Sequence, residues 1–204
     1  IGLTGRTGCG CSTVAKLLCK SFEDMQPPIP SDNESIEGRE YSILYEYTKT
    51  SWVPFRLIEM KHVIFTFILE HDYETTQDYI NEIAGEKLDF SEFKETYTAL
   101  HDKRVKWKEE TISLNEKGDG VPASDDVFSF YFQEIPVHYE EFQKIIPVQV
   151  YTKLMQKIGD NIRASGDAFS DSIVPQNVLN LSQRVNMLIK ILRRRNLKER
   201  KQVL

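Results

Sequence analysis

The sequence is poor in the residues that stabilise secreted and membrane proteins. Three of its 204 residues are cysteine, and they lie close together at Cys9, Cys11 and Cys19. Three clustered cysteines do not make a disulfide framework, so we predict a protein of the reducing cytoplasm. The chain has no run of about 18 apolar residues, so we expect no membrane span, and we recognise no signal peptide.

An excess of positive charge is also missing. The chain has 26 Lys and Arg against 31 Asp and Glu, which gives a formal net charge of -5. Proteins that coat nucleic acid usually carry a basic surface, so we expect neither nucleic acid nor a membrane as a partner. A small phosphorylated ligand remains compatible with this charge, because backbone dipoles and one or two cations suffice to bind it.

The two ends of the sequence resemble strands that are cut. Residues 1–4 are typical of a strand already under way, and residues 202–204 are typical of the start of another. We therefore expect part of a longer protein, a single domain over residues 1–204 that continues past Leu204 into a possible C-terminal fused domain.

The strongest chemical pattern is a glycine-rich segment that follows the first predicted strand. Its residues are Gly5-Arg6-Thr7-Gly8-Cys9-Gly10-Cys11-Ser12-Thr13. A helix is predicted from residue 12 to 22, and the order strand, glycine turn and helix is that of a phosphate-binding loop. Glycines allow successive backbone N–H groups to point at phosphate oxygens, and the helix dipole adds positive potential. The segment predicts binding of ATP or another nucleoside triphosphate, with Ser12 as a ligand of Mg²⁺.

The segment departs from the usual pattern at one position. Cys11 stands where a lysine normally reaches the β- and γ-phosphates. Backbone groups can still bind phosphate, and the missing charge is expected from Arg6 or from another segment, which makes Arg6 a candidate catalytic residue. Three alternatives stay open: a tight turn that binds nothing, a metal or redox pair of Cys9 and Cys11, and a reactive thiol at a helix N-terminus.

The rest of the sequence is predicted to be mostly helical. Short strands are predicted at residues 41–47 and 55–58, and apolar spacing of three and four residues predicts helices over residues 61–70, 74–146 and around residue 158. A break is predicted at residues 117–125, a helix end at Ser165-Gly166, and a last helix over residues 178–192.

One polar stripe on the helix around residue 158 has a competing interpretation. Gln156, Asp160 and Arg163 are spaced by four and three residues, and Lys153 extends the stripe. Such a stripe is usually the solvated face of an amphipathic helix. The alternative is a substrate-facing surface, in which Arg163 binds a phosphate while Gln156 and Asp160 bind a base or a sugar.

Together, the first strand, the glycine segment and a second motif resemble the deoxynucleoside monophosphate kinase group of P-loop proteins. The second motif is Met155-Gln156-Lys157-Ile158-Gly159-Asp160-Asn161-Ile162-Arg163. The resemblance implies an α/β P-loop NTPase core with few parallel strands and a helical insertion over residues 74–165. It also implies transfer of the ATP γ-phosphoryl group to a nucleoside monophosphate. The substrate residues that it implies are Gln156, Asp160 and Arg163, with Arg163 also in a catalytic role. Arg56, beside the second predicted strand, is a candidate contact for the monophosphate by its position alone, and the alternative is a surface arginine.

The same resemblance extends to domains fused in front of cytidine-deaminase-type zinc domains in bacterial anti-phage proteins. The zinc signature of a deaminase is not present in these residues. Two other functions are therefore kept beside the kinase-like one. The first is a non-catalytic nucleotide sensor that regulates a fused or partner domain, and the second is a helical interaction module with a degenerate glycine loop.

Overall fold

The computed structural model describes residues 2–4, 9–32, 34–116, 125–172 and 180–202. The chain divides into two compact units, Ile1–Leu57 and Ile58–Leu204, and each is described by itself. Helices account for nearly all of the regular structure in both units.

The predicted α/β P-loop core is wrong, because no strand occurs in the described residues. Residues 2–4 have no regular structure and are exposed, and residues 55–58 also lie outside any helix or strand. A strand needs a neighbouring strand to satisfy its backbone groups, and the described residues supply none. Residues 41–47, predicted as a strand, lie inside a helix. Gln202 closes a helix rather than opening a strand.

The described residues of the first unit form three helices, α1 (Cys11–Leu18), α2 (Phe22–Met25) and α3 (Ile36–Ser51). Serine side chains begin two of them: Ser21 accepts from the backbone N–H of Asp24 at 3.0 Å, and Ser35 accepts from that of Gly38 at 3.0 Å. Such caps satisfy backbone donors that the first helical turn leaves unpaired. Phe22 is the one fully buried apolar residue in the described part of this unit, so its core is small.

The second unit is a bundle of helices. They are α4 (Met60–Ile68), α5 (Tyr73–Ala84), α6 (Lys94–Glu116), α7 (Asp125–Ser129), α8 (Ile135–Ile145), α9 (Val148–Ser165) and α10 (Leu181–Gln202). A 3₁₀ turn at Ser91–Phe93 precedes α6, and a π-helical turn at Phe130–Glu134 joins α7 to α8. α4 contacts α8, α9 and α10, so it is the central helix of the bundle.

The core of this unit follows the helical spacing of the sequence. Phe90, Phe93, Tyr97 and Leu100 recur at helical spacing in the sequence, and all four are buried. On α9 and α10 the apolar residues at helical spacing are buried at Leu154, Ile158, Ile162, Leu188 and Leu192. Others at the same spacing are half-buried, namely Tyr151, Met155, Leu181 and Val185. Burying one such side chain stabilises a fold by about 1.5–3 kcal/mol, so these faces account for the packing of the bundle.

Several predicted boundaries can be compared with the helices. The predicted helix over residues 61–70 is confirmed as α4. Gly166 ends α9 with a left-handed φ of 84°, as expected for a C-terminal glycine. Residues 117–124 of the predicted break lie outside the described residues, as does Val178. Among the described residues, no helix is long and apolar enough to cross a bilayer.

Candidate functional site

The glycine-rich segment is described in part. Gly5, Arg6, Thr7 and Gly8 lie outside the described residues, whereas Cys9 and Gly10 precede α1 and residues 11–13 form its first turn. Gly10 is the N-cap of α1 with φ 84°, a left-handed conformation that favours glycine, and its carbonyl accepts from the N–H of Val14 at 3.0 Å. The second half of the predicted glycine turn, at Gly10, therefore leads into a helix as expected.

The N-terminus of α1 is open in the part of the chain that the structure describes. Among those residues, no side chain caps it, no acidic residue stands in its first turn, and no atom lies within 4 Å of the position that a Gly10 Cβ would take. Gly10, Ser12 and Thr13 are exposed. The backbone N–H groups of this turn lack helical acceptors, and they carry the positive end of the helix dipole.

The two thiols beside Gly10 lie in contact. Cys9 Sγ and Cys11 Sγ are 3.2 Å apart and share a hydrogen bond. Hydrogen bonding with Cys11, first through its backbone and then through its thiol, lowers the pKa of Cys9, while the same thiol contact raises the pKa of Cys11. Cys9 is therefore the more acidic thiol of the pair. Within the described residues no three His, Cys, Asp or Glu side chains are grouped to hold a metal.

The polar stripe on α9 faces solvent. Gln156, Asp160 and Arg163 are exposed, and Asp160 forms an ion pair with Arg163 one turn away on the same helix. This geometry agrees with the solvated face of an amphipathic helix, because Asp160 and Arg163, two of the predicted substrate residues, pair with each other at the surface. Arg56 belongs to the first unit, in the exposed segment after α3.

A cluster that the sequence reasoning missed lies inside the second unit. Glu70 follows α4, and its Oε1 accepts from Arg104 Nη2 of α6 at 2.5 Å and also from Arg184 Nη2 of α10. The side chains of Arg104 and Arg184 are 3% and 1% exposed, and that of Glu70 is 11% exposed. Two guanidinium groups therefore share one carboxylate oxygen in the interior.

The surroundings of this cluster are only partly polar. Arg184 Nη1 donates to Thr66 Oγ1 at 3.1 Å, and Arg104 Nε donates to the Thr66 carbonyl at 3.2 Å. The Arg184 guanidinium lies over the Phe67 ring at 3.4 Å from the centroid. Burial, and then the nearby charge of Arg104, lowers the pKa of Arg184 to about 10 although Glu70 opposes the shift.

The sequence holds a signal for these arginines. Arg104 continues the apolar face of Phe93, Tyr97 and Leu100 at helical spacing. Arg184 stands between Leu181 and Leu188 on the apolar face of α10. A charged residue at a core position is rare unless it is paired. Helical spacing alone therefore indicates that Arg104 and Arg184 are buried and have charged partners.

A second polar cluster anchors the loop after α9. His71 Nε2 lies 3.2 Å from Asp167 Oδ2, and Phe169 stacks between the rings of His71 and Tyr79. Burial raises the pKa of Asp167, but hydrogen bonds from His71 and from the backbone N–H of Phe169 outweigh it and lower the pKa. The contacts fix this loop against α5, which is a structural role.

Comparison of the chain with protein-family models, with curated proteins and with solved structures gives no match. The resemblance to nucleoside monophosphate kinases therefore stays a prediction from the two sequence motifs.

Proposed function

We propose that the glycine-rich segment, residues 5–13, binds the phosphate groups of a nucleoside phosphate. The observation that carries the proposal is the left-handed Gly10 at the uncapped and exposed N-terminus of α1. It stands in a segment whose glycine spacing and Ser12 are those of phosphate-binding loops. Phosphate binding of this kind needs the N–H groups of a helix N-terminus and of a glycine backbone. Neither requires a neighbouring sheet, so the proposal does not depend on the strand that was predicted before the segment.

Each residue of the segment has a role that follows from its chemistry. The N–H groups at the start of α1 donate to phosphate oxygens, and Gly10 leaves room for the phosphate because it has no side chain. The hydroxyl of Ser12 is the protein ligand for Mg²⁺, with phosphate oxygens of the nucleotide as further ligands. Arg6 supplies the positive charge that Cys11 cannot.

The segment favours binding of a nucleotide without phosphoryl transfer. The lysine that stabilises the migrating phosphoryl group in P-loop enzymes is replaced by Cys11. In the kinase-like alternative, Arg6 takes over that role, and the chain transfers the ATP γ-phosphoryl group to a nucleoside monophosphate. In the sensor alternative, a bound nucleotide instead regulates a fused or partner domain, such as a cytidine-deaminase-type domain.

Calorimetric titration tests the proposal directly. The chain is titrated with ATP, dATP and nucleoside monophosphates, with and without Mg²⁺, and then as Gly10→Val. We expect binding that Gly10→Val abolishes, because valine fills the space at the phosphate and does not adopt φ 84° without strain. Gly2→Val is the matched control, since Gly2 has open space and no positive φ. Binding unchanged by Gly10→Val would refute the site. Conversion of ATP and an added nucleoside monophosphate into ADP and the matching nucleoside diphosphate would select the kinase.

A further inference from the structure

The glycine-rich segment brings two free thiols together without joining them. Cys9 Sγ and Cys11 Sγ lie 3.2 Å apart and share a hydrogen bond, whereas the sulfur atoms of a disulfide lie about 2.05 Å apart. The pair is therefore present in its reduced form. A movement of about 1 Å between the two sulfur atoms would bring them to bonding distance.

Gly10 gives the backbone between the two cysteines the freedom for that movement. Its φ of 84° lies in the left-handed region, which glycine enters without the steric cost that other residues meet. Among the described residues, no atom lies within 4 Å of the position that a Gly10 Cβ would take. The ring that a Cys9–Cys11 disulfide closes therefore contains the most permissive residue type, and the space beside it is open.

The two thiols are not equivalent. Cys9 is exposed and Cys11 is half-buried. Hydrogen bonding with Cys11, first through its backbone and then through its thiol, lowers the pKa of Cys9, while the thiol contact with Cys9 raises the pKa of Cys11. Because the thiolate is the nucleophilic form of cysteine, Cys9 is the more reactive of the two, and Cys11 retains its proton beside it.

We propose that Cys9 and Cys11 form a redox-active dithiol that hydroperoxides convert into a disulfide, with Cys9 attacking the peroxide and Cys11 then attacking Cys9. Cysteines that are oxidised selectively are accessible and often stand next to a second cysteine that closes the disulfide. The 3.2 Å contact supplies that arrangement. The assignment stands on the two sulfur atoms and does not rest on phosphate binding by the segment.

The oxidation proceeds in two steps. The Cys9 thiolate attacks one oxygen of hydrogen peroxide, the O–O bond breaks, and Cys9 becomes a sulfenic acid. The hydroxide that leaves takes up the proton that Cys9 released, which gives one molecule of water. The Cys11 sulfur then attacks the Cys9 sulfur, the S–O bond breaks, and the hydroxide leaves with the Cys11 proton as a second water. The two thiols together lose two electrons, which the peroxide accepts.

Peptide mapping of the full chain after treatment with hydrogen peroxide tests the pair. We expect a disulfide between Cys9 and Cys11 of the same chain, a mass lower by two hydrogen atoms, and the return of both thiols on addition of dithiothreitol. Cys19 is the internal control, because it lies at the other end of α1, about 12 Å along the helix axis from Cys11, and should stay free. No disulfide, a disulfide that includes Cys19, or bonds only between two chains would overturn the proposal.

Two matched variants test the order of attack. In Cys11→Ser the sulfenic acid at Cys9 lacks its neighbouring thiol, so dimedone, which labels sulfenic acids, should label Cys9. In Cys9→Ser we expect dimedone to label Cys11 several-fold more slowly at the same peroxide concentration, because Cys11 is the less acidic and less exposed thiol. Labelling of Cys11 as fast as that of Cys9 would overturn the assigned roles.

Discussion

Replacing Glu70 by glutamine is the sharpest test of the electrostatics inside the second unit. The amide has nearly the shape of the carboxylate but no charge, so Arg104 and Arg184 lose the carboxylate with which both form their ion pairs in the described residues. Removing one partner of a buried ion pair usually costs about 3–5 kcal/mol. Arg184 is 1% exposed, so solvent screening reduces this loss little.

The loss is measurable by two methods. In urea denaturation the free energy of unfolding should fall by about 3–5 kcal/mol. In a thermal scan the melting temperature should fall by about 10 °C, because 1 kcal/mol corresponds to about 2–4 °C at this chain length. Asp160→Asn is the matched control: it breaks the exposed pair with Arg163 and should cost less than about 1 kcal/mol. If Glu70→Gln costs no more than this control, the buried charges are not coupled as the structure shows.

Two further predictions concern other groups. Cys9 should react with iodoacetamide faster than Cys11 near neutral pH, because hydrogen bonding with Cys11 lowers the pKa of Cys9. Mass spectrometry of the alkylated peptides measures the two rates, and equal rates would contradict the prediction. The buried Tyr97, whose hydroxyl donates to the Ile68 carbonyl at 2.9 Å, has a pKa raised by burial. The contribution of Tyr97 to the free energy of unfolding is present below the unfolded pKa of about 10 and is lost as the pH rises toward the folded pKa. Tyr97→Phe should therefore lose less stability than the unaltered chain when the pH is raised above about 10. The same dependence of stability on pH in both proteins would refute this.

The helices of the second unit could be predicted because packing and local pattern agree there. Phe93, Tyr97 and Leu100 repeat at helical spacing, and all three are buried. Residues 41–47 misled the prediction because their tyrosines and isoleucine favour strands only where a neighbouring strand exists. Ser35 caps a helix that runs through them instead.

The candidate sites differ in how much of them a sequence can show. The glycine-rich segment is local, so its spacing was recognised although the strand before it was wrong. The buried cluster is not local: Glu70, Arg104 and Arg184 come from α4's end, α6 and α10. Helical spacing marks the two arginines as anomalous core residues, but only the packing of three distant segments identifies their shared carboxylate.

Whether the fold needs the charges of the buried cluster can be decided by replacing all three of its residues. In the triple variant Glu70→Leu, Arg104→Met, Arg184→Met the charges are replaced by apolar side chains. Replacing a buried ion cluster in this way is often neutral or stabilising by about 1–4 kcal/mol, so we expect stability near that of the unaltered chain, in contrast to Glu70→Gln. If the triple variant keeps its stability, the packing of α4 against α10 does not need the buried charges. If it unfolds, the two arginines and Glu70 are required for that packing.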